Sequence, residues 1–280
     1  MADQVMTSAV HTAAIVPEVW SSKFFEVLLA RLPFNQSVNM DYEGEIQALG
    51  DTVNISSVPE FSAALDLAED ASADADAVTI TGQQLVINKR CYKDFILTKK
   101  AQLQSIPFMD QVRDKAVYAI MKKMQADIIV ASVPSASAPD HQIAFDSGST
   151  LALADILEAK ELLDAQDVSE FGRRMLLGVA QFNDLFNISS FNSRDFVPAG
   201  SPQATASFGT PLLGFDTDWT SELGNEAYLL HPSYLTVAMQ QGLNVEVFNL
   251  GVEGKRANRV NVDILWGLKL LDNKRLVKIS

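Results

Sequence analysis

Two stretches of alternating apolar and polar residues, Asp51-Thr52-Val53-Asn54-Ile55-Ser56 and Val78-Thr79-Ile80-Thr81, flank an unusual segment, Pro59 to Ala77. That segment carries Glu60, Asp66, Glu69, Asp70, Asp74 and Asp76 and has no Lys or Arg. Alternation is the period of a half-buried strand, and Leu85-Val86-Ile87 prolongs the second one. Two strands joined by a long acidic, alanine-rich tip predict an extended hairpin. A two-stranded hairpin is marginal by itself in water. The chain must offer it a partner surface, from its own domain or from a neighbouring copy.

The rest of the chain supplies candidates for that surface. Met1 to Ala14 is small and polar and reads as an arm. Pro17 opens a helical pattern, where the first-turn N–H has no partner to lose. Trp20, Phe24 and Leu28 recur at four-residue spacing, and Pro33 ends the run. A longer helix is predicted from about Met109 to Ser132, because Val112, Ala116, Ile120, Met124 and Ile128 form one apolar stripe. Such a stripe is expected to be core, packed on the late strands. Ser132 to Ser149 is rich in Ser, Pro and Asp and reads as a loop. A second helix is expected near Thr150, taken as its N-cap, with Ile156, Leu157, Leu162 and Leu163 on the apolar side.

Strands dominate beyond that point. Arg173 to Val179 predicts a buried strand, Phe182 to Phe186 a short helix and Phe196 to Gly209 a loop. Ala227 to Leu230 is a buried-strand run closed by His231-Pro232. Tyr234 to Gln241 reads as a short helix. Val245 to Phe248, Arg259 to Leu265, Trp266 to Leu271 and Leu276 to Ile279 read as strands. Helices and strands are mixed along the chain, and the expected fold class is α+β.

Composition bounds the function. Of the 280 residues 48% are hydrophobic, enough for a sizeable core in one or two domains. The formal net charge of −13 disfavours sequence-general nucleic-acid binding, which rests on counterion release by Lys and Arg. Cys91 is the only cysteine, so no internal disulfide and no Cys-based zinc cluster can form in one chain. The first residues lack a basic segment followed by an apolar core, and no apolar run reaches the ~20 residues that span a bilayer. A soluble protein with no membrane partner, made in a reducing cytoplasm, is expected.

Catalytic signals are weak. His11, His141 and His231 are not paired at helical spacing with one another, so structural or surface roles are favoured and no metal site is expected. Asp140, His141 and Asp146 could form a general base with its carboxylates, but the segment lacks a nucleophile elbow and reads as a solvated loop. Gly251 to Arg256 lacks the spacing of a phosphate-binding loop and reads as a turn between strands. No cofactor is expected.

The order of these elements resembles the major capsid proteins of tailed double-stranded DNA phages with the Hong Kong 97 fold. Four stretches are similar in wording: Ile15-Val16-Pro17-Glu18-Val19-Trp20; Asp41 to Ile46 with Gly50 to Ile55; Leu229-Leu230-His231-Pro232-Ser233; and Trp266-Gly267-Leu268-Lys269-Leu270. The resemblance covers nearly the whole chain. It implies an N-terminal arm and first helix over 1–40 and an extended loop over 41–97. A peripheral domain with a long spine helix would take 98–148 and an axial domain 149–244. The last strands, 245–280, would return to the peripheral sheet.

The same resemblance implies a function: hexamers and pentamers that close into an icosahedral head around double-stranded DNA, without sequence-specific binding. The expected location is the virion, after assembly in the host bacterial cytoplasm. The arm is short beside relatives that carry a scaffolding segment, so a separate scaffolding protein is the expected helper, with a portal and a decoration protein as further partners. Lys89, Lys93 and Lys99 lie at the base of the hairpin, and the Lys–Asn cross-link of some relatives is not carried over to them. The expected interface residues are Asp66, Glu69, Asp70, Asp74 and Asp76 at the hairpin tip, with Trp20, Phe24 and Arg31 near the arm. Arg31, Lys23 and Arg113 are candidate basic partners for the tip. Two other readings remain: an encapsulin-like shell of the same fold enclosing enzyme cargo, and an α/β hydrolytic enzyme.

Overall fold

The structure, a computed structural model, describes residues 32–41, 52–57, 66, 80–98, 108–192, 211–249 and 257–280. In chain order its elements are β1 (Thr52–Ser57), β2 (Thr81–Val86), β3 (Lys89–Thr98), α1 (Phe108–Ala131), β4 (Gln142–Ile143), α2 (Leu153–Asp164) and β5 (Arg174–Gly178). There follow α3 (Val179–Leu185), α4 (Ser189–Asn192), β6 (Asp216–Thr220), β7 (Ala227–Leu230), β8 (Leu235–Asn249), β9 (Ala257–Leu270) and β10 (Leu276–Ile279). The strands form three sheets, ordered β1-β2, β4-β10-β7-β5-β6 and β3-β9-β8. The expected helix around Trp20 and the expected loop over Phe196 to Gly209 lie outside the described residues.

The long stripe on α1 builds the first core. Ala116, Ile120, Met124 and Ile128 are buried against Val262, Ile264 and Trp266 of β9 and Leu235 and Val237 of β8. Cys91 and Phe95 of β3 join from the same side of the sheet. Pro134 stands just past the end of α1, where a proline cannot continue the helix. Its last turn is closed by Ser132, whose hydroxyl bonds the Ile128 carbonyl oxygen and the Tyr234 hydroxyl, each at 2.8 Å. That environment is dry, and burial pushes the Tyr234 phenol well above its ordinary value.

The five-stranded sheet is buried on both faces, and the period of two assigns each residue to its side. Leu176, Tyr228, Leu230 and Leu276 point into the core shared with α1. Their neighbours Met175, Leu177, Leu229, Val277 and Ile279 point the other way, into a second core with Ile156, Ala159 and Leu163 of α2 and Leu185 of α3. The α2 N-cap is Ala152 rather than the expected Thr150. Asp155 explains the shift: buried at the third helical position, its carboxylate accepts from the Ala152 N–H at 2.8 Å and the Asp146 N–H at 3.1 Å. One carboxylate thus satisfies two donors at the helix entry.

The expected short helix over Tyr234 to Gln241 is instead the start of β8. Leu235, Thr236, Val237 and Ala238 are all buried. Leu235 and Val237 face α1, whereas Ala238 packs with Val53, Leu85 and Ile87 at the hairpin base. A strand covered on both faces shows no alternation, so its apolar run imitates a helix segment. The hairpin arms pair antiparallel from Thr52↔Val86 to Ser57↔Thr81. Residues 31–280 form one compact unit, to which all these elements belong.

Gly267 of β9 is where the hairpin base meets the β3-β9-β8 sheet. A Cβ there would lie 2.4 Å from the Val86 carbonyl oxygen and 2.9 Å from the Ile87 Cα. Both obstacles are backbone. Gly267→Ala is therefore expected to destabilise the chain by about 1–3 kcal/mol, the range for overpacking. Gly82→Ala, with nothing within 4 Å of the added carbon, is the matched control and is expected to leave the melting temperature nearly unchanged.

Candidate assembly surfaces

The β3-β9-β8 sheet has α1 on one face only. On the other face the register places Tyr92 opposite Asp263, Asp94 opposite Asn261 and Ile96 opposite Arg259. On the β8 side it places Glu246 opposite Asn261 and Phe248 opposite Arg259. Arg90 reaches the buried Asp263 carboxylate at 2.8 Å, and Arg259 pairs with Asp94. The hydrogen bonds it donates to Asp263, ahead of that carboxylate's charge, hold the Arg90 guanidinium above its ordinary pKa. Between these ion pairs stand apolar side chains in water: Tyr92 is 68% exposed, and Ile96 and Phe248 about half. Val247 of β8, directed to the α1 side, is also exposed at 62%. Exposed apolar groups in one sheet mark a surface made to be covered.

A second surface lies in the loop between α2 and β5, which enters β5 beside the end of β7. Arg173 is buried and fixes this loop. Its guanidinium donates to the Ser169 carbonyl at 2.9 Å, the Val168 carbonyl at 2.5 Å and the Asp164 carboxylate at 2.6 Å, and it lies over the Phe215 ring. Burial would raise the Asp164 carboxyl, but hydrogen bonds from Lys160 and Arg173 outweigh it and hold the group below its ordinary value. Positive φ at Asp167 and Gly172 turns the chain on either side. Phe171, inside this pinned loop, is 91% exposed.

His231 supports the loop from behind. Its ring lies 2.6 Å from the Ser233 hydroxyl through Nδ1 and accepts the Ser233 N–H at 3.3 Å, and the Phe171 backbone stands near enough to oppose the lowering of its pKa. Arg275 donates to the same Ser233 hydroxyl at 2.6 Å. Burial, then the charge of Arg275, lowers the His231 pKa below its ordinary 6.5, so the ring is neutral at neutral pH.

Of the residues singled out in the sequence, Asp66 is described and exposed. Glu69, Asp70, Asp74, Asp76, Trp20, Phe24, Arg31, Lys23 and His11 lie outside the described residues, as does the Gly251 to Arg256 turn. The side chain of Arg113 lies outside them too, so the pairing of the tip acids with their candidate partners is outside the described residues. The Asp140–His141–Asp146 segment, read above as a solvated loop, is one in part: Asp140 and Asp146 are exposed. His141 is buried, with Nδ1 3.0 Å from the Leu276 carbonyl, while Asp140 accepts from the Gln142 N–H. Among the described residues no group of three or more His, Cys, Asp or Glu could hold a metal ion. Sequence reasoning missed Tyr92, Phe171 and the supporting Arg173. Phe171 carried a usable signal: a large aromatic in a polar turn, directly before a glycine.

No family model matches the sequence, and no curated protein matches it. Solved structures do. A chain from Mycobacterium phage Che8 aligns over 96% of this chain and 98% of its own, with 22% identity and a TM-score of 0.75. The capsid structure of Cyanophage P-SCSP1u aligns over 97% and 94%, with 9% identity and a TM-score of 0.75. The capsid asymmetric unit of Cyanophage Pam1 aligns over 100% and 98%, with 13% identity and a TM-score of 0.73. The chain thus has an α+β fold of the phage-capsid class. That fold is the Hong Kong 97-like one its sequence resembles.

The lowered His231 pKa fixes the sign of one pH effect. An unfolded histidine titrates near 6.5, above the folded value, so the unfolded chain binds the extra proton first. The contribution of neutral His231 is full above pH ~6.5 and is lost as pH falls through the folded pKa. Melting temperatures measured from pH 7.5 to 5 are expected to fall more steeply for the wild type than for His231→Gln. Parallel curves would show that His231 contributes no such term.

Proposed function

We propose that this chain is the major capsid protein of a tailed phage, assembling as hexamers and pentamers into the icosahedral head that encloses double-stranded DNA. The observation that carries this reading is the alignment over nearly the full length of both chains with solved phage capsid structures. The exposed apolar groups of the β3-β9-β8 sheet support it, because assembly would cover them. The role is structural and not catalytic, and the protein resides in the virion.

On this reading the chain divides as its sequence resemblance implies: an arm and first helix over 1–40, an extended loop over 41–97, a peripheral domain over 98–148 and an axial domain over 149–244. Residues 245–280 return toward the peripheral domain, and the packing of β9 on α1 supports this. A separate scaffolding protein, a portal and a decoration protein complete the head. The acid-rich hairpin tip contacts a neighbouring subunit, and Trp20, Phe24 and Arg31 lie in a subunit contact. The net charge of −13 fits a container that does not adsorb its DNA.

Electron microscopy with sedimentation tests the assignment. Closed shells or regular rings are expected, from the purified chain or after co-expression with the scaffolding protein. Monomers under both conditions would overturn it, and particles filled with a host enzyme would point to a cargo shell of the same fold. Within shells, Asp70→Lys combined with Asp74→Lys is expected to weaken assembly markedly. Unchanged assembly would remove the tip from the interface.

A further inference from the structure

Phe171 is the feature that folding of the single chain leaves unexplained. Burying a phenylalanine is worth about 1.5–3 kcal/mol, yet this one is 91% exposed. It is not on a loose segment. Arg173 holds the carbonyls of Val168 and Ser169, the Phe171 N–H bonds the Ser169 hydroxyl at 3.3 Å, and the His231 ring stands beside the Phe171 backbone. A rigid aromatic loses little conformational freedom when it is covered, which is the property of a binding hot spot.

The ground around Phe171 is acidic on balance, with Lys160 and Arg173 both paired to Asp164. Glu158, Glu161 and Asp164 on α2 and Asp167 and Glu170 in the loop are all exposed. The same chain carries a surface of opposite character. The outer face of α1 exposes Lys115, Lys122 and Lys123, and beside them the small Ala126 and the bare Val130, which is 76% exposed. Lys122 and Lys123 do have partners, Glu222 and Asp127, but about half or more of each lysine side chain remains in solvent. An acidic surface with an aromatic knob and a basic surface with an apolar seat are complementary. Because they are different surfaces of one chain, their contact is heterologous, the kind that generates rings when the rotation closes.

We propose that the loop Ala165 to Gly172 is a docking knob that seats Phe171 of one copy on the lysine-lined outer face of α1, near Ala126 and Val130, of a second copy. The proposal rests on the shell reading and names a contact within it. Arg173 and His231 act as positioning residues, keeping the knob in its docking shape. The charges fix orientation and speed encounter, while the aromatic supplies most of the affinity.

Two variants of the full chain test it. Phe171→Ser removes the knob from an exposed position, so the melting temperature is expected to stay at the wild-type value. Assembly, measured as the concentration at which half the chain enters rings or shells, is expected to weaken by roughly tenfold or more, as for an interface aromatic. In the second variant a benzoyl-phenylalanine photo-cross-linker replaces Phe171. It is expected to give a dimer-sized product in which the cross-linked peptide comes from α1 of the other copy. If the wild type forms shells while Phe171→Ser assembles equally well, or the cross-link maps to another element or to the scaffolding protein, the docking proposal is wrong and the shell reading stands. A wild-type chain that never assembles, with or without the scaffolding protein, overturns both.

Discussion

The packing of α1 on β9 is the contact on which the remaining structure depends. Trp266, Ile264 and Val262 of β9 meet Ala116, Ile120, Met124 and Ile128 of α1 without access to water. Burying a large apolar side chain contributes about 1.5–3 kcal/mol, so this seam outweighs any single surface ion pair of the molecule. It also fixes position. β9 is the central strand of its sheet, so anchoring it places β3 on one side and β8 on the other. Through Gly267 it sets where the hairpin base sits, and through Leu235 and Val237 it continues into the core beneath the five-stranded sheet.

The polar interior is arranged so that helix ends and loops are satisfied by a few well-placed side chains. Asp155 serves two N–H groups, Ser132 closes α1, and Arg173 serves two carbonyls and a carboxylate. Each stands where a short connection would otherwise leave backbone groups without a protein partner, which costs about 1–3 kcal/mol where the group is buried. This explains how loops as short as that after α2 can be rigid and still reach into solvent. It also separates the two histidines beyond residue 100. His141 is a core residue bonded to the Leu276 carbonyl, whereas His231 sits at the back of an exposed loop.

Much of the fold was legible in the sequence, for identifiable reasons. α1 announced itself through an apolar residue every fourth position, and the hairpin arms through strict alternation. The buried strands β5 and β7 appeared as uninterrupted apolar runs. Where the reading failed, the periodic signal had been erased or outcompeted. Leu235 to Ala238 is covered on both faces and so lost its alternation. Thr150 yielded its capping place to Ala152 because Asp155 could satisfy two donors from inside the helix. The candidate surfaces were harder to see. Exposure of Tyr92 or Phe171 is a property of the folded chain, since an aromatic residue in sequence is by default expected inside. The opposition of an acidic loop to a basic helix face required knowing which residues of each point outward.

The two larger sheets are joined twice. β7 passes into β8 through the short turn Pro232–Tyr234, and β9 passes into β10 through Asn273–Arg275. These turns are tied to one another: the His231 N–H bonds the Arg275 carbonyl at 3.0 Å, the Leu271 N–H bonds the Tyr234 carbonyl at 2.8 Å, and Arg275 holds Ser233. A single linker would let one sheet swivel about a point. A pair of short, cross-bonded connections holds the sheets at two points. Twisting or separation is resisted by covalent backbone on both sides, and tilting by the core that the two sheets share with α1. Load arriving along the long ribbon of β8 and β9 is divided between two chains before it reaches the five-stranded sheet.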